Sequence, residues 1–184
     1  MPLEISIEER RAAASLLARL ATRDRRLAEH ALACGALAAT LARMLDLPEA
    51  GIARASILGT LHEVGMLAEL ERPPAHVTST PLEHQRGLRS ATLVFLRAEP
   101  ALARFADDAG TLFDDVVPAI EARIVVVADI YDALTRHLPG VAGLTKRGAV
   151  DVLKSLAGPR VDPDVVHALI FSQRRGQRQS DVSA

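Results

Sequence analysis

The stretch PAIEARIVVVADIYDALTRHL, Pro118–Leu138, decides the fold. Ile124 to Val127 are four β-branched residues in a row, a composition that suits a buried strand. Length and spacing argue the other way. The stretch contains no glycine, and Ile124, Val127, Tyr131 and Leu134 recur at steps of three and four. It reads as one long helix, in which the carboxylate Asp129 follows five apolar residues.

The rest of the chain agrees with a helical reading. Hydrophobic residues make up 49% of the 184, but aromatics only 3%, and Trp is absent. A core of Leu, Ala, Val and Ile with so little Tyr, Phe and Trp belongs to helices rather than sheets. Ser6 with Glu9 three positions later is a capping box that starts a helix running to about Ala21. After the break TRDRR, the residues Leu27, Ala31, Cys34, Ala38, Leu41 and Leu45 mark a second helix. Pro48 opens a third, Glu49 to about Val64, almost wholly apolar and so central, with Gly65 as its stop.

Pro73, Pro74 and Pro81 punctuate a loop; helical patterning resumes near Glu83 and ends near Ala98. Pro100 restarts a short helix that fades in ADDAGTLFDD. Past Leu138, TKRGAVDVLKSLAG and DPDVVHALIFSQRR give two more helices, the second capped by Asp162 with Pro163 following. The expected organisation is an N-terminal helix (1–25), an all-α helical bundle (26–175) and a disordered tail (176–184).

Net charge is −1, which offers no field to recruit nucleic acid or a membrane, and the basic SQRRGQR run (Ser172–Arg178) is short and lacks aromatics. One cysteine, no apolar leader and no run of transmembrane length suit a cytoplasmic protein.

Polar groups inside apolar helices are where chemistry would sit. His30 lies on the packed face of the second helix beside Cys34, and ASILGTLHEVGML (Ala55–Leu67) puts His62 and Glu63 at the end of the buried third helix. Glu63 there faces the negative end of the helix dipole, and burying Asp129 unpaired costs several kcal/mol, about 2–7 for an uncompensated polar group. One divalent metal held by two imidazoles and two carboxylates would neutralise both acids. Equally, the histidines could bond to carbonyls, an arginine could balance Glu63, and Arg123 or Arg136 could pair with Asp129.

With those residues in view, the chain resembles the HD superfamily of metal-dependent phosphohydrolases, and within it the HD-GYP domains of bacterial cyclic di-GMP signalling. The resemblance runs from about His30 to Phe171. It rests on SILGTLHEVGML, PAIEARIVVVADIYDALT and KRGAVDVLKSLAGPRVDPDVVHALI, in that order. It implies an HD-domain bundle in which His30, His62, Glu63 (where the family has Asp) and Asp129 are the surviving metal ligands.

The departures are as informative. Met66 stands where the family has lysine. The next histidine ligand has no clear counterpart: His84 is nearby, but Ser90 falls closer to the register. The segment that carries the GYP motif is absent, and TRHLPG replaces another family motif. A centre of two or three metals therefore lacks half its ligands. The cofactor expectation is none, or one divalent metal (Mn, Fe or Zn).

The functional expectation is a degenerate HD-GYP-like domain, inactive against cyclic di-GMP, acting as a regulatory or protein-interaction module. The loss of lysine and GYP loop argues against cyclic dinucleotide binding. A protein partner or homodimer is expected instead, with the apolar first helix as the surface for it. Two alternatives stay open: a single-metal phosphohydrolase acting on a nucleotide or phosphate ester, with Arg86 or Arg89 replacing the lysine, and a non-catalytic nucleotide receptor.

Overall fold

A computed structural model describes residues 4–71, 81–112, 118–137, 140, 142–158 and 161–182, with the side chains of 81–86 and 175–182 outside that description. The chain is all-α, and among the described residues the only β feature is an isolated bridge between Ala157 and Val161. The helices are α1 (Ile7–Arg23), α2 (Arg25–Met44), α3 (Glu49–Leu61), α4 (Met66–Leu70), α5 (Pro81–Ala98), α6 (Phe105–Thr111), α7 (Ile120–Thr135), α8 (Lys146–Leu156) and α9 (Pro163–Val182).

Local chemistry sets the boundaries. Ser6 accepts from the Glu9 amide while the Glu9 carboxylate takes the Ser6 amide at 2.6 Å, so the capping box forms. Asp24 alone separates α1 from α2: its amide closes the first helix on Leu20, and its carboxylate caps the second through the Arg26 and Leu27 amides. Thr145 caps α8 and Asp162 caps α9, with Pro163 in the first turn.

The ambiguous stretch is helical from Ile120 to Thr135, as its length requires; Arg136 and His137 leave the helix, and Leu138 lies outside the described residues. Ile124, Val125, Val127 and Ala128 are buried together in α7, so packing on several sides overrides the strand preference of its valines.

α2, α3 and α7 pack on one another at the centre. Where α2 meets α3 the backbones touch through glycine. A Cβ on Gly59 would stand 3.1 Å from the Cys34 carbonyl oxygen and from Gly35 Cα, and one on Gly35 would stand 2.8 Å from the Ser56 carbonyl. This close crossing sets the histidine of α2 beside the histidine that follows α3.

Several expectations are corrected. α3 stops at Leu61 instead of Val64, and residues 62–65 form a turn into α4. The cause is α5, which lies so close that a Cβ on Gly65 would meet the Leu88 oxygen at 2.4 Å, while Thr92 Oγ1 accepts from the Gly65 amide. Residues 100–104 are a turn, and the short helix begins only at Phe105. Finally, α1 is not a free surface, because its apolar face (Ala13, Leu16, Leu20) is buried in the same core and packs on α2, α3 and α4.

Helix α9 continues to Val182 and takes in most of the stretch read as a disordered tail; apart from Gly176 that stretch holds no helix breaker. The loop of Pro73 and Pro74 falls outside the described residues. Among the described residues, no helix is long and apolar enough to cross a membrane.

Candidate metal centre

α2 supplies His30 and, one turn on, Cys34; the turn after α3 supplies His62 and Glu63; α7 supplies Asp129 and, one turn on, Asp132. One ligand atom from each of His30, Cys34, His62 and Asp129 lies within 4.8 Å of all the others. Three of the four residues expected from sequence are in this group. The fourth, Glu63, approaches it beside His30, with Oε2 3.6 Å from His30 Nε2.

Both histidines are buried, and both have their ring orientation fixed from behind. His62 Nδ1 lies 2.7 Å from the Gly59 carbonyl oxygen. A carbonyl only accepts, so Nδ1 carries a proton and Nε2 is the atom turned to the cluster. His30 Nδ1 lies 2.7 Å from Asp132 Oδ2 and donates to it, which likewise turns Nε2 inward. The rings meet edge to face, their centroids 5.3 Å apart.

Asp129 joins the two. Its Oδ1 is 3.2 Å from His30 Nε2 and 3.5 Å from His62 Nε2. The second separation brings the charges close but lacks hydrogen-bond geometry, so His62 Nε2 is a buried polar atom without a hydrogen-bond partner. Such an atom costs about 1–3 kcal/mol unless something fills its lone pair. Arg123 and Arg136 are engaged elsewhere, with Asp162 and Asp132 respectively.

The electrostatics are those of a cation site. Burial opposes protonation of His30, but the Asp129 and Asp132 carboxylates outweigh it and push its pKa up to about 12. His62 is also buried, and Asp129 and Glu63 nevertheless raise it. Burial would raise Asp129 and Asp132; the histidines, with Arg136 at Asp132, hold both below the usual carboxylate range. Burial pushes the Cys34 thiol up, against the pull of His30. Without a metal, protonated His30 supplies the positive charge that the acids need.

The residues fit a divalent metal on the geometry alone: four donors within 4.8 Å of one another, two of them imidazoles whose Nδ1 is held so that Nε2 faces inward, and one of these Nε2 atoms otherwise unpartnered. Sequence reasoning missed two members. Asp132 is three residues from Asp129 and Cys34 four from His30, so each follows from reading the same helix face one turn further. Met66 packs against the core. Ser90 is exposed, and the side chains of His84 and Arg86 lie outside the described residues.

Compared with protein-family models and with curated protein sequences, the chain gives no match.

Proposed function

We propose that the chain is a degenerate HD-type domain that has kept one metal position and serves as a regulatory module in signalling, without turning over cyclic di-GMP. The reading is supported chiefly by one observation, the buried and unpartnered Nε2 of His62 inside a four-donor cluster. The four donors of this cluster are the number one divalent ion needs. A two-metal centre, with ions about 3.5–4 Å apart, calls for a second set.

In this reading His30, His62 and Asp129 hold the ion, with Glu63 at the edge. A bound divalent ion there supplies Lewis acidity and can lower the pKa of water. The chain's own groups do the positioning: Asp132 and the Gly59 carbonyl hold the two rings, and Asp129 spans the gap between them. Against hydrolysis stand two facts. Met66 offers no charge to a phosphate, and the acids Glu63, Asp129 and Asp132 surround the position with negative charge that repels one.

A second reading, a single-metal phosphohydrolase, is favoured by the exposure of the Asp129 and Glu63 side chains, 29% and 26%, which leaves a way in from solvent. Metal-loaded protein assayed with cyclic di-GMP and with an activated phosphodiester separates the two. The regulatory reading expects close to one metal per chain and no turnover. Hydrolysis that disappears in His62→Ala protein would replace it with the second reading.

A further inference from the structure

We infer that Cys34 is itself a metal ligand, which makes the centre a closed site of one cysteine, two histidines and one aspartate, selective for zinc or a similar borderline-soft ion. This rests on the single-metal reading above and says which residue is the fourth donor.

The geometry favours Cys34. Donors on a tetrahedral zinc, with Zn–S about 2.3 Å and Zn–N or Zn–O about 2.0–2.1 Å, stand about 3.6 Å apart for sulfur and nitrogen and about 3.3 Å for nitrogen and oxygen. Cys34 Sγ is 3.7 Å from His30 Nε2 and 3.6 Å from Nδ1, so the thiol rests against the ring, and its sulfur, unlike Glu63, belongs to the set of donor atoms within 4.8 Å of one another. Asp129 Oδ1 is 3.2 Å from His30 Nε2 and 3.5 Å from His62 Nε2. The two Asp129 separations are those of ligands sharing one ion, and Cys34 Sγ would join them by moving off the ring face toward Nε2.

Burial separates Cys34 from its rival. Glu63 has a carboxylate that reaches solvent and can be hydrated, whereas Cys34 is fully buried against the imidazole of His30. A thiolate and one carboxylate also match the charge of a divalent ion between two neutral imidazoles, and binding releases the thiol proton to solvent. Sulfur shifts preference away from Mn and Mg, which favour oxygen. Four protein donors leave no vacant position, and a closed zinc site is structural rather than catalytic.

Cobalt(II) titration of the metal-free chain, without added thiols, reads the two claims apart. Intense visible d–d bands report a tetrahedral ion in the cluster; a near-ultraviolet thiolate-to-cobalt charge-transfer band reports sulfur ligation. We expect both, saturating together at one cobalt per chain and bleached by zinc. Cys34→Ser should keep the visible bands and lose the near-ultraviolet one. Visible bands without charge transfer in the unaltered chain overturn ligation by Cys34 and leave the single-metal reading standing. No cobalt bands at saturating metal overturn both.

Discussion

Asp132 Oδ2 accepts from His30 Nδ1 at 2.7 Å, and Arg136, the residue that closes α7, holds the same oxygen at 2.7–2.8 Å. The result is a chain of three groups, arginine to carboxylate to imidazole, that fixes which nitrogen of His30 faces the cluster. Outer partners of this kind typically contribute 10–100-fold to metal affinity. Asp132→Ala should therefore weaken metal binding about 10–100-fold in competition with a chromophoric chelator. Asp132→Asn keeps an acceptor for the Nδ1 proton and should recover part of the loss. Equal losses in both variants would show that Asp132 acts through charge and not through orientation.

Protons and metal compete for the same nitrogens. His30 stays protonated up to about 12 in the metal-free protein, and His62 is raised as well. Each must lose its proton to coordinate, so apparent affinity should rise with pH across the neutral range. The rise should be about tenfold per pH unit for each proton displaced. Isothermal titration in buffers of different ionisation heat counts those protons, and a flat profile between pH 6 and 8 would contradict the arrangement.

The same shifts fix the pH window of metal-free stability. A raised His30 stabilises the fold fully below its unfolded value of 6.5 and loses that contribution as pH climbs towards about 12. The lowered Asp129 and Asp132 contribute above their unfolded value of 3.8 and lose it as pH falls through their folded values. These are two sides of one set of contacts. Metal-free protein should melt highest between about pH 4 and 6.5 and lower on either side. Saturating metal should move the optimum upward, because it favours the deprotonated imidazoles.

How much of this was legible in the sequence differs by residue. The helical identity of Ile120–Thr135 was readable because length and spacing outweighed β-branched composition. His30, His62 and Asp129 were readable as polar groups that apolar helices would not otherwise tolerate. The end of α3 was not. Gly65 ends nothing by left-handed geometry, since its φ is −58°; it matters because α5 comes within contact of it, a tertiary fact. Asp132 carried no signal of its own in the sequence; only the packing of α2 on α7 sets His30 across from it.

At the start of the chain, Glu9 serves two partners, the Ser6 amide and the guanidinium of Arg104, which links α1 to the turn before α6. Burial raises its pKa, but the hydrogen bonds from Arg104 and Ser6 outweigh this and lower it. Its contribution is therefore present above an unfolded value of 4.5 and lost as pH falls through the folded value. Ser6→Ala should cost about 1 kcal/mol through the cap. Arg104→Met should cost more, because it leaves a buried carboxylate without its cation. Below pH 4 the gap between Arg104→Met and the unaltered chain should narrow in urea melts.

Glycine substitutions test the close crossings directly, since alanine is intrinsically better in a helix by about 1 kcal/mol. Gly87 in α5 is exposed with nothing within 4 Å of an added Cβ, so Gly87→Ala should stabilise by about that amount. Gly35→Ala should do the reverse. Its Cβ would stand 2.2 Å from Thr60 Oγ1 and 2.8 Å from the Ser56 carbonyl; the hydroxyl can rotate away, but the backbone oxygen cannot. Overpacking of this kind costs about 1–3 kcal/mol and should exceed the helix gain. Gly59→Ala meets only 3.1 Å contacts, a milder strain, but Gly59 also supplies the carbonyl that orients His62. For Gly59→Ala we therefore expect a small change in melting temperature and a larger fall in metal affinity, whereas Gly87→Ala should leave affinity unchanged. If Gly59→Ala binds metal as well as the unaltered chain, the Gly59 carbonyl is not what holds the His62 ring in place.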